Sequence, residues 1–506
     1  MSNLYTRLAA QFPNDSQRPF AWLPDGEMLN YEEVEAASAR YANALRDLGV
    51  GIGDRVAVQV EKSIEMLMLY LGCLRSGAVF LPLNTAYTAA ELDYFIDDAQ
   101  PALIICDPSA VQAITALPSV AGRRVETLDA ARGGTLVDLA CGAAATFETV
   151  SREDSDLAAI LYTSGTTGRS KGAMLSHGNL ASNAFTLREV WRFTADDVLL
   201  HALPIFHTHG LFVATNVILA CGGSMLFLPR FEARAVMDAL PRATVMMGVP
   251  TFYIRLLGEA AFDRQLVSHM RLFISGSAPL APDVHREFAA RTGHAILERY
   301  GMTETNMNTS NPYDGDRIPG TVGLPLPGVE IRIADSASGC VLPQGEVGVI
   351  EISGPNVFQG YWRMPEKTAA EFRDGFFISG DLGRIDERGY VAIVGREKDL
   401  IIAGGFNVYP AEVEDAIGEL EAVREVAVIG VPHPDLGEGV VAVVVPREQG
   451  SVDAESITAA LTDKLARFKQ PRRILIVDEL PKNTMGKVQK AQLRQLHAGL
   501  FNGRAS

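Results

Sequence analysis

The sequence predicts an α/β protein. It reads as a large N-terminal domain of mostly parallel βαβ sheets with a small β-barrel-like subdomain, followed by a small mobile α+β C-terminal domain. Three observations carry this. Short apolar runs such as "RVAVQV", "ALIICD", "LAAILYTS", "ATVMMGVP" and "HMRLFISGS" alternate with helix-like stretches such as "SIEMLMLYLGCLRSG" and "PDVHREFAART", the pattern of parallel strands joined by crossover helices. After about residue 320 the texture changes to "VEIRIAD", "GVIEISG" and "DGFFISGDLGRIDERGYVAIVG"; short strands with Gly- and Asp-bearing turns read as antiparallel. At 506 residues the chain is also too long for one ordinary domain.

Taken in order, residues 1–395 form the large domain, with the barrel-like part at about 320–395. Within it "GLFVATNVILACGGSMLFLP" is the most apolar long segment, but Asn216 and Gly222-Gly223 interrupt it before a bilayer span is complete. It reads as a helix running into a buried strand. "GREKDLIIAGGFNVYPAEVEDAI" brings charges and then a glycine pair, a hinge at 396–400 and the start of the small domain, 401–506.

Composition narrows the function. A formal charge of −16 argues against nucleic acid as a partner, because backbone-phosphate binding needs a net basic face. The five cysteines show no CxxC pair, which suits reduced thiols and a cytoplasmic location. The first twenty residues lack the apolar core of a secretory signal, and no membrane partner is expected.

"YTSGTTGRSKGAML", residues 162–175, gathers hydroxyls, glycines and one lysine in a single loop. Walker A loops need GxxxxGK[ST], and the order here is Gly165, Gly168, then Lys171-Gly172, so a P-loop nucleotidase is disfavoured. The physics is shared all the same. An apolar strand delivers a loop whose glycines permit close backbone approach, so N–H groups, hydroxyls and Lys171 can cradle phosphate.

The loop has company. "RYGMTET" (299–305), "SGDLGRID" (379–386), "GREKDLIIAGGFNVYPAEVE" (395–414) and "PKNTMGKVQK" (481–490) follow in that order, with "LPIFHTHGLF" (203–212) between. With these motifs the chain resembles the AMP-forming acyl- and aryl-CoA synthetases of the adenylate-forming superfamily over almost its whole length. The resemblance implies a two-step ligase using ATP, Mg²⁺ and CoA: a carboxylate attacks the α-phosphate to give an acyl-adenylate and pyrophosphate, and CoA then displaces AMP.

Carried over by position, the resemblance implies that Thr163, Ser164, Gly165, Thr166, Thr167, Gly168 and Lys171 hold the β- and γ-phosphates. Thr303 would contact the α-phosphate and Glu304 would bind Mg²⁺. Asp381 and Arg396 would take the ribose. Ser277 and Ala278, with Glu298, Arg299, Tyr300 and Gly301, would form the adenine slot, Tyr300 stacking on the base. Lys487 would reach the α-phosphate during adenylation. A pivot at Lys398 would then swing the small domain, bringing Gly404 and Gly405 to the pantetheine channel. His207 would gate the substrate and CoA tunnel beside Met302, and Arg230 is a candidate for the CoA phosphate. Acetylation by a lysine acetyltransferase would silence Lys487.

The pocket segments "APLAPDVHREF" and "TETNMNTSNPYDGDRIPG" are polar and carry Arg286, which suits an acid with a second negative charge. Several segments resemble malonyl-CoA synthetases, implying malonate as substrate, methylmalonate as a second, and Arg286 on the distal carboxylate. The alternatives are a short-chain or aryl acyl-CoA ligase and, outside enzymes, a silent nucleotide-binding regulator. With no carrier module following "LFNGRAS", a carrier-loading adenylation domain is disfavoured.

Overall fold

The computed structural model describes residues 2–163, 170–403, 406–434, 436–462, 464–465, 467–483 and 486–501. Among these, four sheets organise the chain, and the first two are the expected parallel ones. In the first, Arg124–Thr127, Leu103–Cys106, Arg55–Gln59, Val79–Pro82 and Leu157–Thr163 lie side by side and parallel. Lys171–Ser176 closes the row antiparallel to Leu157–Thr163, so Thr163 stands opposite Lys171 at the two ends of the glycine-rich loop.

The second sheet has six parallel inner strands: Leu297–Met302, Leu272–Ser275, Val245–Gly248, Val198–His201, Ser224–Phe227 and Pro19–Trp22. Antiparallel strands cap both edges. Because parallel sheets are covered on both faces, their strands read as continuous apolar runs; Leu272–Ser275 is buried at every position.

Helix Ile64–Ser76 shows why one core joins the two sheets. Every residue but Glu65 is buried, so it has no wet face, the mark of a helix packed within a protein. Ser63 caps its start by accepting from the Met66 amide. Its apolar side chains share a cluster with those of helices His177–Val190 and Asn216–Cys221 and with residues of both sheets. The apolar segment at 210–229 follows expectation: a π-helical turn, His209–Thr215, leads into helix Asn216–Cys221 and buried strand Ser224–Phe227. No helix among the described residues is long and apolar enough to cross a membrane.

The third sheet is antiparallel and runs Glu330–Ala334, Gly348–Ser353, Phe376–Ile385, Phe372–Arg373, with Val391–Arg396 also paired to Phe376–Ile385. The fourth lies beyond residue 400 and joins Ile401–Ala403, Phe406–Val408, Val423–His433, Gly437–Pro446 and Arg473–Ile476. Its side chains bury into clusters of their own against helices Pro410–Gly418, Ala454–Leu461 and Lys490–His497.

One buried ion pair ties the starts of two strands of the second sheet, Val198–His201 and Leu272–Ser275, across the strand Val245–Gly248 between them. Asp197 accepts from Arg271 Nε at 2.6 Å and Nη2 at 2.8 Å, and also from the Thr194 amide and the Thr244 hydroxyl. Removing one partner of a buried pair strands the other charge. Asp197→Ala is therefore expected to destabilise the fold by about 3–5 kcal/mol, read as a fall in Tm by calorimetry.

Candidate active site

The strands of both parallel sheets end on one cavity of about 620 Å³. Ligands gather at such carboxyl ends because the loops there can diverge around them. Pro82, Thr163 and Lys171 come from the first sheet; His207, Ser277, Arg299, Thr303 and Glu304 come from the second. Ser379, Gly380, Arg396 and Lys398 line it from the third, and Asn483, Lys487 and Gln489 reach in from the C-terminal part. The turn carrying Lys487 is seated tightly, since a Cβ on Gly486 would lie 3.0 Å from Thr251.

Glu304 is buried, and burial raises its pKa. Its Oε1 accepts from the Thr163 hydroxyl at 3.3 Å and from Tyr361 at 3.1 Å. A hard carboxylate held this way fits Mg²⁺, and a bound cation would offset its desolvation. No cluster of three or more metal-ligating side chains occurs among the described residues, so phosphate oxygens or water would have to complete such a site.

Lys171 does not point freely into the cavity. It pairs with Glu371 at 2.9 Å and lies 4.1 Å from the centre of the Tyr361 ring. Tyr361 donates to Glu371 as well, at 2.7 Å. Glu371 thus competes with phosphate for the loop's cation. Glu371→Gln is expected to lower the KM for ATP about threefold, the scale of a partly buried pair, as measured by AMP release at varied ATP.

Asp381 and Arg396 face each other across the last rung of a strand pair and are joined at 2.8 Å. Tyr300 donates to the other Asp381 oxygen at 2.6 Å. Lys487 keeps part of its surface open to the cleft, yet burial, then the cation Arg396, lowers its pKa to about 8. His207 drops to about 4, chiefly through burial, with Arg299 and Lys487 adding repulsion. It is a neutral imidazole near pH 7.

Arg299 is the most unusual wall residue. It is 2% exposed, and its Nε and Nη2 have no protein partner among the described residues. It lies flat on the backbone of residue 276: a Cβ there would be 2.4 Å from the guanidinium carbon, which only glycine avoids. Burial lowers its pKa to about 9, so it is a cation at neutral pH. His209 stands nearby, its Nδ1 3.2 Å from the Ser277 hydroxyl and its Nε2 without a partner. A buried uncompensated cation facing a cavity is a receptor for an anion.

The sequence matches the AMP-binding enzyme family over residues 6–362 and the AMP-binding enzyme C-terminal domain over residues 412–487. The chain belongs to the AMP-binding enzyme family. It is 37% identical to a feruloyl-CoA synthase of an Amycolatopsis species, covering 93% of this chain and 94% of that one. It is 35% identical to the malonate–CoA ligase of Arabidopsis thaliana, covering 88% and 78%. Among solved structures it is 58% identical to MatB of Rhodopseudomonas palustris with ATP bound, covering 99% of both chains with a TM-score of 0.97. Against the apo form of the same protein the TM-score is 0.86.

In this AMP-binding enzyme several expected site residues stand away from the cavity wall. Arg286 does not line the cavity: it is 56% exposed and paired with Asp283 one helical turn away. Arg299, expected in an adenine slot, is the cavity's unpaired guanidinium instead. Ala278, Glu298 and Tyr300 are absent from the wall. Glu298 accepts from the Leu280 amide, and burial raises it to about 8; Tyr300 is turned to support Asp381, whose carboxylate is itself drawn back from the cavity.

The polar stretch after Thr303 was expected to line the pocket. Asn308, Thr309 and Asn311 are instead tied to Thr305, Val322 and Glu298, holding the sheet edge, and Met307 is the one of Asn306–Asn311 on the wall. Arg230 is 80% exposed, bound to Glu232 and away from the cavity. Ser164, Gly165, Thr166, Thr167, Gly168, Gly404 and Gly405 lie outside the described residues. Thr163, Lys171, His207, Ser277, Gly301, Met302, Thr303, Glu304, Arg396, Lys398 and Lys487 do converge on the cavity. Sequence reasoning missed Glu371 and the cavity-facing role of Arg299. The available signal for Arg299 was a charged residue within a buried strand, Leu297–Met302, in "ERYG".

Proposed function

We propose that this enzyme is a malonate–CoA ligase that uses ATP and CoA, with methylmalonate as a second substrate. The observation that carries the substrate class is Arg299, a buried guanidinium on the cavity wall whose Nε and Nη2 have no partner among the described residues. A dicarboxylic acid places its distal carboxylate there, beside Ser277 and His209, in a bidentate grip that a monocarboxylic acid cannot complete. The likeness to a malonate–CoA ligase and to MatB supports the same choice. One extra methyl changes binding by only about 1–3 kcal/mol, which leaves room for methylmalonate.

With the distal end fixed, the near carboxylate attacks the α-phosphorus; the bond to the bridging oxygen breaks and pyrophosphate leaves. Lys487 and Thr303 meet the charge on the α-phosphate, and Lys171 with the loop 163–168 meets the β- and γ-phosphates. Mg²⁺, held by Glu304, would neutralise charge on the phosphate oxygens. Asp381 and Arg396 take the ribose. In the second step the CoA sulfur bonds to the acyl carbon and AMP leaves as the carbon–oxygen bond breaks. His207, kept uncharged, can gate the tunnel without repelling or trapping either anion.

For that step residues 1–395 and 401–506 act as two bodies pivoting at 396–400 about Lys398. Gly404, Gly405 and Arg230 serve CoA, and acetylation of Lys487 removes its charge. The five cysteines are unbonded thiols, which suits a cytoplasmic setting.

The test is AMP formation with ATP, Mg²⁺ and CoA, offering malonate, methylmalonate, acetate, benzoate and octanoate in parallel. Malonate is expected to win by tens-fold or more. Benzoate or octanoate winning would keep the adenylating chemistry and discard the pocket reading. No AMP with any acid would return the chain to a silent nucleotide-binding regulator.

A further inference from the structure

Lys62 is a buried lysine that the ligase chemistry above does not use. It follows strand Arg55–Gln59 of the first sheet and meets His201, the last residue of strand Val198–His201 in the second. Its Nζ is 3.0 Å from His201 Nδ1 and donates to the His201 carbonyl at 2.9 Å. The Phe227 ring closes over it, 4.3 Å from the amine. Among the described residues neither Lys62 nor His201 has a carboxylate partner, and burial drives both toward their neutral forms.

The proton positions then follow from the partners. His201 Nε2 is 2.9 Å from the Gly210 carbonyl, which can only accept, so Nε2 carries the hydrogen. Nδ1 is therefore an acceptor, and Lys62 is the group that donates to it. The Gly210 carbonyl also accepts from the Thr215 hydroxyl at 3.0 Å. It is pinned by two donors in a position that leaves no room for a side chain, since a Cβ on Gly210 would lie 2.1 Å from the Pro204 carbonyl oxygen.

Gly210 closes the turn that begins at Pro204 and holds four cavity-wall residues, Phe206, His207, Thr208 and His209. Within that turn the His209 amide donates to His207 Nδ1 at 3.2 Å, and the Leu211 amide to the His207 carbonyl at 3.0 Å. A shift of Gly210 therefore moves both histidines. We propose that Lys62 is a positioning residue: acting through His201 and the Gly210 carbonyl, it fixes the His207–His209 turn against the acid substrate. The tie spans the carboxyl ends of the two sheets, so it registers the acid-binding wall from one against the phosphate loop from the other. It touches neither ATP nor the acid itself.

The inference rests on the ligase reading, and its test separates the two. Lys62→Met keeps the length and apolar body of the side chain but leaves His201 Nδ1 without a donor. It is expected to raise the KM for malonate about tenfold, the scale of one stranded buried acceptor, with the KM for ATP within about twofold. A general loss of folding would instead lower the active fraction and leave both KM values unchanged. The paired variants His201→Gln and His201→Leu supply the second arm. Glutamine can still accept from Lys62 and donate to Gly210, so it is expected to stay near wild type, whereas leucine is expected to match Lys62→Met.

Unchanged malonate KM in Lys62→Met, or malonate and ATP KM values rising together, would overturn the proposal. If Lys62→Met gives no cooperative melting transition, the histidine pair decides: equal effects of glutamine and leucine would overturn it. If the wild-type enzyme activates no dicarboxylic acid, the substrate reading falls alone, and the same KM comparison is made on the acid it does activate.

Discussion

Arg299→Met is expected to lower kcat/KM for malonate by roughly 30- to 3,000-fold, while Arg286→Ala stays within about twofold of wild type. Removing one partner of a buried charge contact typically costs about 2–5 kcal/mol, and each 1.4 kcal/mol is about a factor of ten. Arg286 sits in an exposed pair within its own helix, a contact worth about 0–1 kcal/mol. Arg299→Lys is not expected to rescue, because an ammonium cannot lie flat on Gly276 and present two parallel N–H groups. AMP release with each acid measures all three.

Misfolding would not imitate this result. The folded-state pKa of Arg299 is lowered by burial to about 9, so the unfolded chain holds that proton more tightly. The group therefore opposes folding below about pH 9, and the opposition fades as pH rises above that value toward the ordinary arginine range. Arg299→Met should melt at or above the wild-type Tm at neutral pH while losing its substrate.

Lys487→Ala is expected to slow adenylation about 10²–10³-fold, the usual loss on removing one fixed charge from a phosphoryl or acyl transition state. Thioester formation from supplied malonyl-adenylate should fall no more than about threefold under the proposed role of the lysine in the first half-reaction. The pH profile carries the same information. With a pKa near 8, Lys487 is charged below that value and loses its proton above it. Hence kcat/KM for adenylation in the free enzyme should bend downward near pH 8, falling about tenfold per unit beyond. In kcat the bend should move to higher pH, because bound phosphates favour the charged amine.

Much of the fold was legible because it is written in local chemistry. The apolar runs of the parallel strands, the glycine-interrupted segment at 210–229 and the short strands after residue 320 each state their structure within a few residues. The same holds for site residues whose motif is contiguous: Thr163, Lys171, Thr303, Glu304, Arg396 and Lys487 all reach one cavity. What could not be read is orientation. Arg286 and Arg299 are both arginines in pocket-forming segments, and only packing decides that one faces solvent and the other lies against Gly276 on the cavity wall. The asparagines after Thr303 look like a polar pocket until the sheet edge claims them. Glu371 is separated from Lys171 by 200 residues, and no periodicity connects them.

The cavity wall described here carries Lys171, Arg299, Arg396, Lys398 and Lys487 against Glu91, Glu304 and Glu371, inside a molecule of formal charge −16. The sign of the field thus inverts between shell and chamber. At physiological ionic strength the shell's repulsion decays within about 8 Å, too short a barrier to exclude a small anion arriving at the mouth. Inside, low-dielectric walls strengthen the opposite field. A polyanion too large for the chamber meets only the repelling layer, over many sites at once. This arrangement of charge favours small anions that can enter the chamber over polyanions held at the shell.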